Sequence, residues 1–345
     1  MNRSRVLGLA LFSLVAFAGL AIVAQSKTPT GARMAEAATK FLTTLPAEAK
    51  AKAAFPFEAK QRTVWFFTPQ QDKQKNSTRK GLRLDQMSPE QRAAAHDLLK
   101  TGLSARGYEQ ATTIISLESL LKDLEGDKGA MVRNPEWYFV SIFGEPSNTG
   151  AWSWRFEGHH LSVNVTLNKG EVTDATPVLF GANPAIVKSG PKAGLRTLPE
   201  IEDAAQELIK SLTTEQNKVA KQAKHFAEIR EGYADADVGA PVGLVASEMS
   251  AAQKDTLSKL LKAYADRMPA DVAATEMARA AEAGLEKLYF GYSGSTVAGE
   301  GYTYRVQGPS FVIEFLNIQA DASKNPANHI HSTWRRLPAD FAAVQ

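Results

Sequence analysis

Ala151-Trp152-Ser153-Trp154-Arg155-Phe156-Glu157-Gly158 and Gly301-Tyr302-Thr303-Tyr304-Arg305-Val306-Gln307-Gly308 decide how this chain is read. In both, large apolar side chains alternate with polar ones, the period of a strand that buries one face. The arginines and the closing glycines occupy matching places. The likeness continues downstream, where Leu161, Val163 and Val165 answer to Phe311, Ile313 and Phe315, and upstream, where Trp137-Tyr138-Phe139 answers to Leu288-Tyr289-Phe290.

Further upstream a helix start is repeated. Met87-Ser88-Pro89-Glu90-Gln91 and Met249-Ser250-Ala251-Ala252-Gln253 each offer a serine cap with glutamine three residues on, the pattern of a capping box. Pro89 sits at the first helical position, where its missing N–H is no loss. Helices are expected over about 31–60, interrupted at Pro46 and ended by Pro56, then over 88–101, 104–124, 199–212, 250–264 and 270–288. Strands are expected over 138–143, 152–156, 161–165 and 171–177, with their counterparts after residue 288. The fold class that follows is α+β: an internally duplicated unit of a helix pair and an antiparallel sheet. Residues 31–180 form the first repeat, 181–242 a connecting segment with helices, and 243–343 a second repeat packed on the first. A half-polar sheet must bury one face, which packing two copies together achieves, and a ligand would then find walls between them. Two separate domains joined through 181–198 is the competing arrangement.

Residues 1–24 read as an export signal: Arg3 and Arg5, then an apolar run from Val6 to Ala24. An uncleaved transmembrane helix is the alternative, since the run is long enough to span. Either places the remainder outside the cytoplasm, periplasmic or secreted, with membrane contact only through this segment if it is uncleaved. The formal charge of +3 falls further without the two arginines, so neither nucleic acid nor an anionic membrane is indicated as partner. There is no cysteine. That excludes thiol chemistry, iron–sulfur clusters, thiolate zinc sites and disulfides.

Four of the six histidines fall in two tight groups, His159-His160 and His329-Ile330-His331. In extended backbone His329 and His331 project to one side with Cα atoms about 7 Å apart, which suits chelation of one ion. His159 and His160 are adjacent, so in a regular strand only one of them reaches that ion. Glu314 lies between apolar same-face neighbours, Val312 and Leu316, and so is poorly solvated or paired. It is the candidate carboxylate ligand or general base. Arg155 and Arg305 are candidates for fixing an anionic substrate, although capping sheet carbonyls or pairing with Glu157 and Glu314 is the plainer role. A nitrogen-rich, sulfur-free ligand set favours a divalent transition metal such as zinc, copper or iron. No His-Glu-x-x-His, Gly-x-Ser-x-Gly, phosphate-binding loop or dinucleotide fingerprint is present.

Trp154-Arg155-Phe156-Glu157-Gly158-His159-His160-Leu161-Ser162, Gly308 to Phe315 and Asn328-His329-Ile330-His331-Ser332-Thr333-Trp334-Arg335 together resemble the uncharacterised family called domain of unknown function 3500, over residues 31 to 343. The resemblance implies an exported protein in which both histidine groups and Glu314 are family features. It carries no reaction. Arg336 departs from the acidic residue such a close leads one to expect. The expected function is a metal-dependent hydrolase with a histidine-rich site. The alternative is a non-catalytic exported protein binding a metal or small molecule, and a third is an envelope structural protein whose polar cluster only fixes packing.

Overall fold

The computed structural model describes residues 29–126, 129–297 and 299–342, so the expected signal segment lies outside the described residues. The fold is mixed α+β, with eight α-helices and one twelve-stranded sheet among these residues. No helix among them is long and apolar enough to cross a membrane.

The elements run in two series. The first is α1 (Thr30–Thr44), α2 (Ala47–Ala53), β1 (Ala54–Phe55), β2 (Leu82–Arg83), α3 (Pro89–Gly102), α4 (Ala105–Glu125), β3 (Phe139–Phe143), β4 (Ala151–Gly158), β5 (Leu161–Asn168), β6 (Glu171–Asp174) and β7 (Val178–Ala182). The second is α5 (Pro199–Ser211), α6 (Thr214–Ala220), β8 (Leu244–Val245), α7 (Ala251–Ala265), α8 (Ala270–Gly284), β9 (Tyr289–Gly294), β10 (Tyr302–Gln307), β11 (Phe311–Gln319) and β12 (His329–Arg336). The main strand order is β1-β3-β4-β5-β7-β12-β11-β10-β9-β8. Pairing is antiparallel except at β1–β3, so the sheet is mixed rather than purely antiparallel. Strands β7 and β12 join edge to edge, with His331 opposite Gly181.

Both capping boxes form. Ser88 accepts from the Gln91 N–H, and Ser250 from the Gln253 N–H. Each glutamine also donates to the last turn of a neighbouring helix, Gln91 to the Thr44 carbonyl and Gln253 to the Ser211 carbonyl. One local choice thus sets a helix start and a helix–helix contact. β7 spans the expected boundary between the first repeat and the connecting segment at residues 180 and 181; its Val178-Leu179-Phe180 run is too short for period alone to reveal.

The two faces of the sheet differ. One packs on helices through Trp152, Trp154, Phe156, Phe290, Tyr304 and Phe315, all buried. The other is polar yet buried, covered by two largely irregular segments, residues 56–80 and 221–243. Irregular backbone has carbonyls that no ladder satisfies, so the sheet must supply donors. Arg155 donates to the carbonyls of Gln61, Arg62 and Val64. Arg335 donates to those of Arg230, Tyr233, Ala234 and Asp235, while its Nε holds Asp340 at 2.7 Å. The covering segments are joined by Glu231, which accepts from the N–H groups of Phe67 and Thr68, and by the Trp65 indole donating to the Tyr233 carbonyl.

Candidate metal centre

His329 and His331 leave β12 on its polar face, two residues apart, beside the seam with β7. His160 comes from the two-residue turn between β4 and β5. Its backbone has φ +61°, a left-handed conformation uncommon for a residue with a side chain. Its N–H donates to the Phe67 carbonyl and its carbonyl accepts from Gly181 N–H. Two hydrogen bonds and the covering segment therefore hold the strained turn in place. Glycine at 181 is required by the ring itself: a Cβ there would lie 3.1 Å from His160 Cβ and Cδ2, and 2.8 Å from the Ile330 carbonyl oxygen.

These constraints bring three Nε2 atoms together. His160 Nε2 is 2.8 Å from His329 Nε2 and 3.2 Å from His331 Nε2. One ligand atom from each of the three residues lies within 4.8 Å of the other two. Three imidazoles bound at about 2.0–2.1 Å in a tetrahedral site place their nitrogens about 3.3 Å apart. The two spacings from His160 are within about half an ångström of this value, and the third pair lies within 4.8 Å.

Electrostatics keep His160 and His329 neutral, the form that ligates. Burial pushes His160 well below the usual histidine value, and the neighbouring histidines add to it. Burial likewise takes His329 down to about 2, helped by His331 and His159. Proton placement also suits Nε2 ligation. His331 Nδ1–H donates to Glu228 Oε1 at 2.9 Å, leaving Nε2 with its lone pair toward the other rings. Asn183 lies 3.4 Å from His329 Nδ1, and its own Oδ1 is buried without a partner as placed. Turning that amide over presents Oδ1 to the Nδ1–H.

The other expected residues are elsewhere. His159 is turned from the triad: its ring stacks on His160 at 3.7 Å between centroids while Nδ1 meets Glu118 and Arg133. Glu314 shares the polar face with His331 but sits further along β11, opposite Thr333. There it accepts from Arg305 at 2.8 Å, and burial raises its carboxyl above the usual value even against Arg305 and Arg335. Arg305 also donates to the Val238 carbonyl, and Arg155 to Asn164 and the covering segment. Arg336 pairs with Asp174 and Glu276, so a cation at this strand end is matched by buried acids. Glu228, which does touch the triad, was not singled out in the sequence. It lies in an aperiodic stretch where no pattern distinguishes it from its acidic neighbours.

A family model described as "Protein of unknown function (DUF3500)" matches residues 27–343. The chain belongs to this DUF3500 family. No curated protein and no solved structure matches it. For this DUF3500 protein the chemistry therefore has to be argued from the triad itself. Three imidazoles converge, and among the described residues no fourth His, Asp or Glu joins them.

Proposed function

We propose that this protein is an exported metal protein that holds one divalent transition ion on His160, His329 and His331, and that the ion serves as a hydrolytic centre. The convergence of three imidazole Nε2 atoms, joined among the described residues by no fourth His, Asp or Glu, carries the reading. Structural zinc sites close their coordination with four protein ligands, whereas catalytic ones keep a position for water or substrate. Held by His160, His329 and His331, an ion would supply Lewis-acid activation of water without a free side-chain base. That matters here, because Glu314 is engaged by Arg305 and Glu228 by His331, Ile229 and Gln319. The enclosure of His160 and His331, at 3% and 5% exposure, favours a second reading: a protein that binds the metal without turning over a substrate.

Export rests on the apolar segment 6–24 behind Arg3 and Arg5. Internal duplication is supported by the two element series and by the paired capping glutamines that reach the preceding helices.

Elemental analysis of purified protein after loading with zinc, copper or iron tests the metal. One ion per chain in the wild type and none in a His329→Ala/His331→Ala variant of unchanged circular dichroism is expected. An empty wild type overturns the proposal. Chelator-sensitive hydrolysis of activated esters by the loaded protein supports the hydrolase; stoichiometric metal with no such activity selects the binding protein.

A further inference from the structure

Building on that metal reading, we infer that Glu228 is the positioning residue of the centre, setting both the ring orientation and the donor strength of His331. The inference rests on where its two oxygens go. Oε1 accepts from His331 Nδ1–H at 2.9 Å and from the Ile229 N–H at 2.9 Å; Oε2 accepts from Gln319 Nε2 at 3.0 Å. Three donors fix the carboxylate, so it is neither free to swing onto an ion nor poised to take a proton from substrate. Every one of these contacts is a donor, the surroundings of a carboxylate that accepts only.

A charged acceptor on Nδ1–H does two things to the opposite nitrogen. It excludes the tautomer in which Nε2 bears hydrogen, and it makes the ring a stronger donor. Among the described residues, only His331 of the three ligands has a carboxylate in this place: His329 Nδ1 lies by the Asn183 amide, and the Glu118 carboxylate is turned to His159. The centre is therefore asymmetric, with one imidazole backed by a full negative charge. Phe67 packs edge-on to the same ring at 4.9 Å between centroids, so the ring is held from its side as well as from its tip.

Glu228 also belongs to the 221–243 segment that covers the polar face, and not to the sheet that carries the histidines. That segment is held on the sheet by Arg335 through the Arg230 carbonyl and its neighbours, close in sequence to Glu228. The covering segment thus reaches the ion through one hydrogen bond.

Glu228→Gln keeps an acceptor and removes the charge; Glu228→Ala removes both. The side chain is 42% exposed, so neither replacement opens a core cavity. Cobalt(II) serves as the probe, since its visible absorption reports ligand geometry and donor strength while titration reports affinity. Both variants are expected to bind one cobalt, the alanine variant about 10- to 100-fold more weakly than wild type and the glutamine variant in between, each with shifted absorption bands. A residue with only a structural role would lower the melting temperature and leave the spectrum and affinity alone. Wild-type affinity and spectrum in Glu228→Ala would overturn this inference while leaving the metal centre standing. Failure of the wild type to take cobalt or any other metal would overturn both.

Discussion

Gly181→Ala tests the geometry of the centre without removing any ligand. The added methyl carbon would stand 2.8 Å from the Ile330 carbonyl oxygen and 3.1 Å from His160 Cβ and Cδ2. The first contact is with backbone and cannot be relieved by a rotamer change, so β7 and β12 must part locally. The second pushes on the His160 ring, which is already pinned by its strained turn and by Phe67. Overpacking of this kind costs about 1–3 kcal/mol. Restricting the unfolded chain gives back about 0.4–1 kcal/mol. A net loss of about 1–2 kcal/mol follows, read in guanidinium unfolding of metal-free protein. Because His331 faces Gly181 across the seam, two of the three ligands move, and metal affinity should fall by more than the stability does. Gly150→Ala is the control: its added carbon meets only the Ser147 hydroxyl, at 3.4 Å, and its stability should stay within about 0.5 kcal/mol of wild type. If Gly181→Ala unfolds and binds metal as Gly150→Ala does, the close packing of His160 against β7 is wrong.

Other consequences can be measured separately. His160, His329 and His159 are all held below the histidine norm chiefly by burial, so the unfolded chain binds protons that the fold refuses. Stability of the metal-free protein is then fully present above about pH 6.5 and falls on acidification toward the folded value, about 2 for His329, by up to about 1.4 kcal/mol per group per pH unit. A denaturation series from pH 7.5 to 5 that is flat would contradict this. Arg335→Met leaves Asp340 buried without its cation and takes the guanidinium donors from the carbonyls of residues 230 and 233–235; about 3–5 kcal/mol should be lost in equilibrium unfolding. Ser88→Ala and Ser250→Ala each remove a cap and should cost about 1 kcal/mol by the same measurement. His159→Ala removes the ring behind His160 and its contacts to Glu118 and Arg133 but no ligand of the triad, and should retain one bound metal by elemental analysis.

What could be read from the residues alone follows the periodicity of the backbone. Alternation around Trp154 and Tyr304 marked β4 and β10, and serine–glutamine spacing marked the starts of α3 and α7, because each is a local pattern with a local cause. The same-side projection of His329 and His331 follows from β12 being extended. Which of His159 and His160 turns inward could not be read, since it depends on a left-handed residue in a two-residue turn. Glu314 was recognisable as an acid on an apolar stretch with Arg305 as its plainer partner, and the β10–β11 register sets the two opposite each other. Glu228 and Phe67 lie on aperiodic segments whose course is set by the buried arginines beneath them. Polar residues on that face looked like a solvent side or a ligand wall. Their main work is to satisfy irregular backbone.

The most direct test of the metal centre is anomalous diffraction from a crystal of metal-loaded protein, collected on both sides of the ion's absorption edge. A single peak about 2.0–2.2 Å from the Nε2 atoms of His160, His329 and His331, with Glu228 still on His331 Nδ1, is the predicted result. Three ordered imidazoles joined only by hydrogen bonds, with no anomalous signal between them after loading, would contradict it.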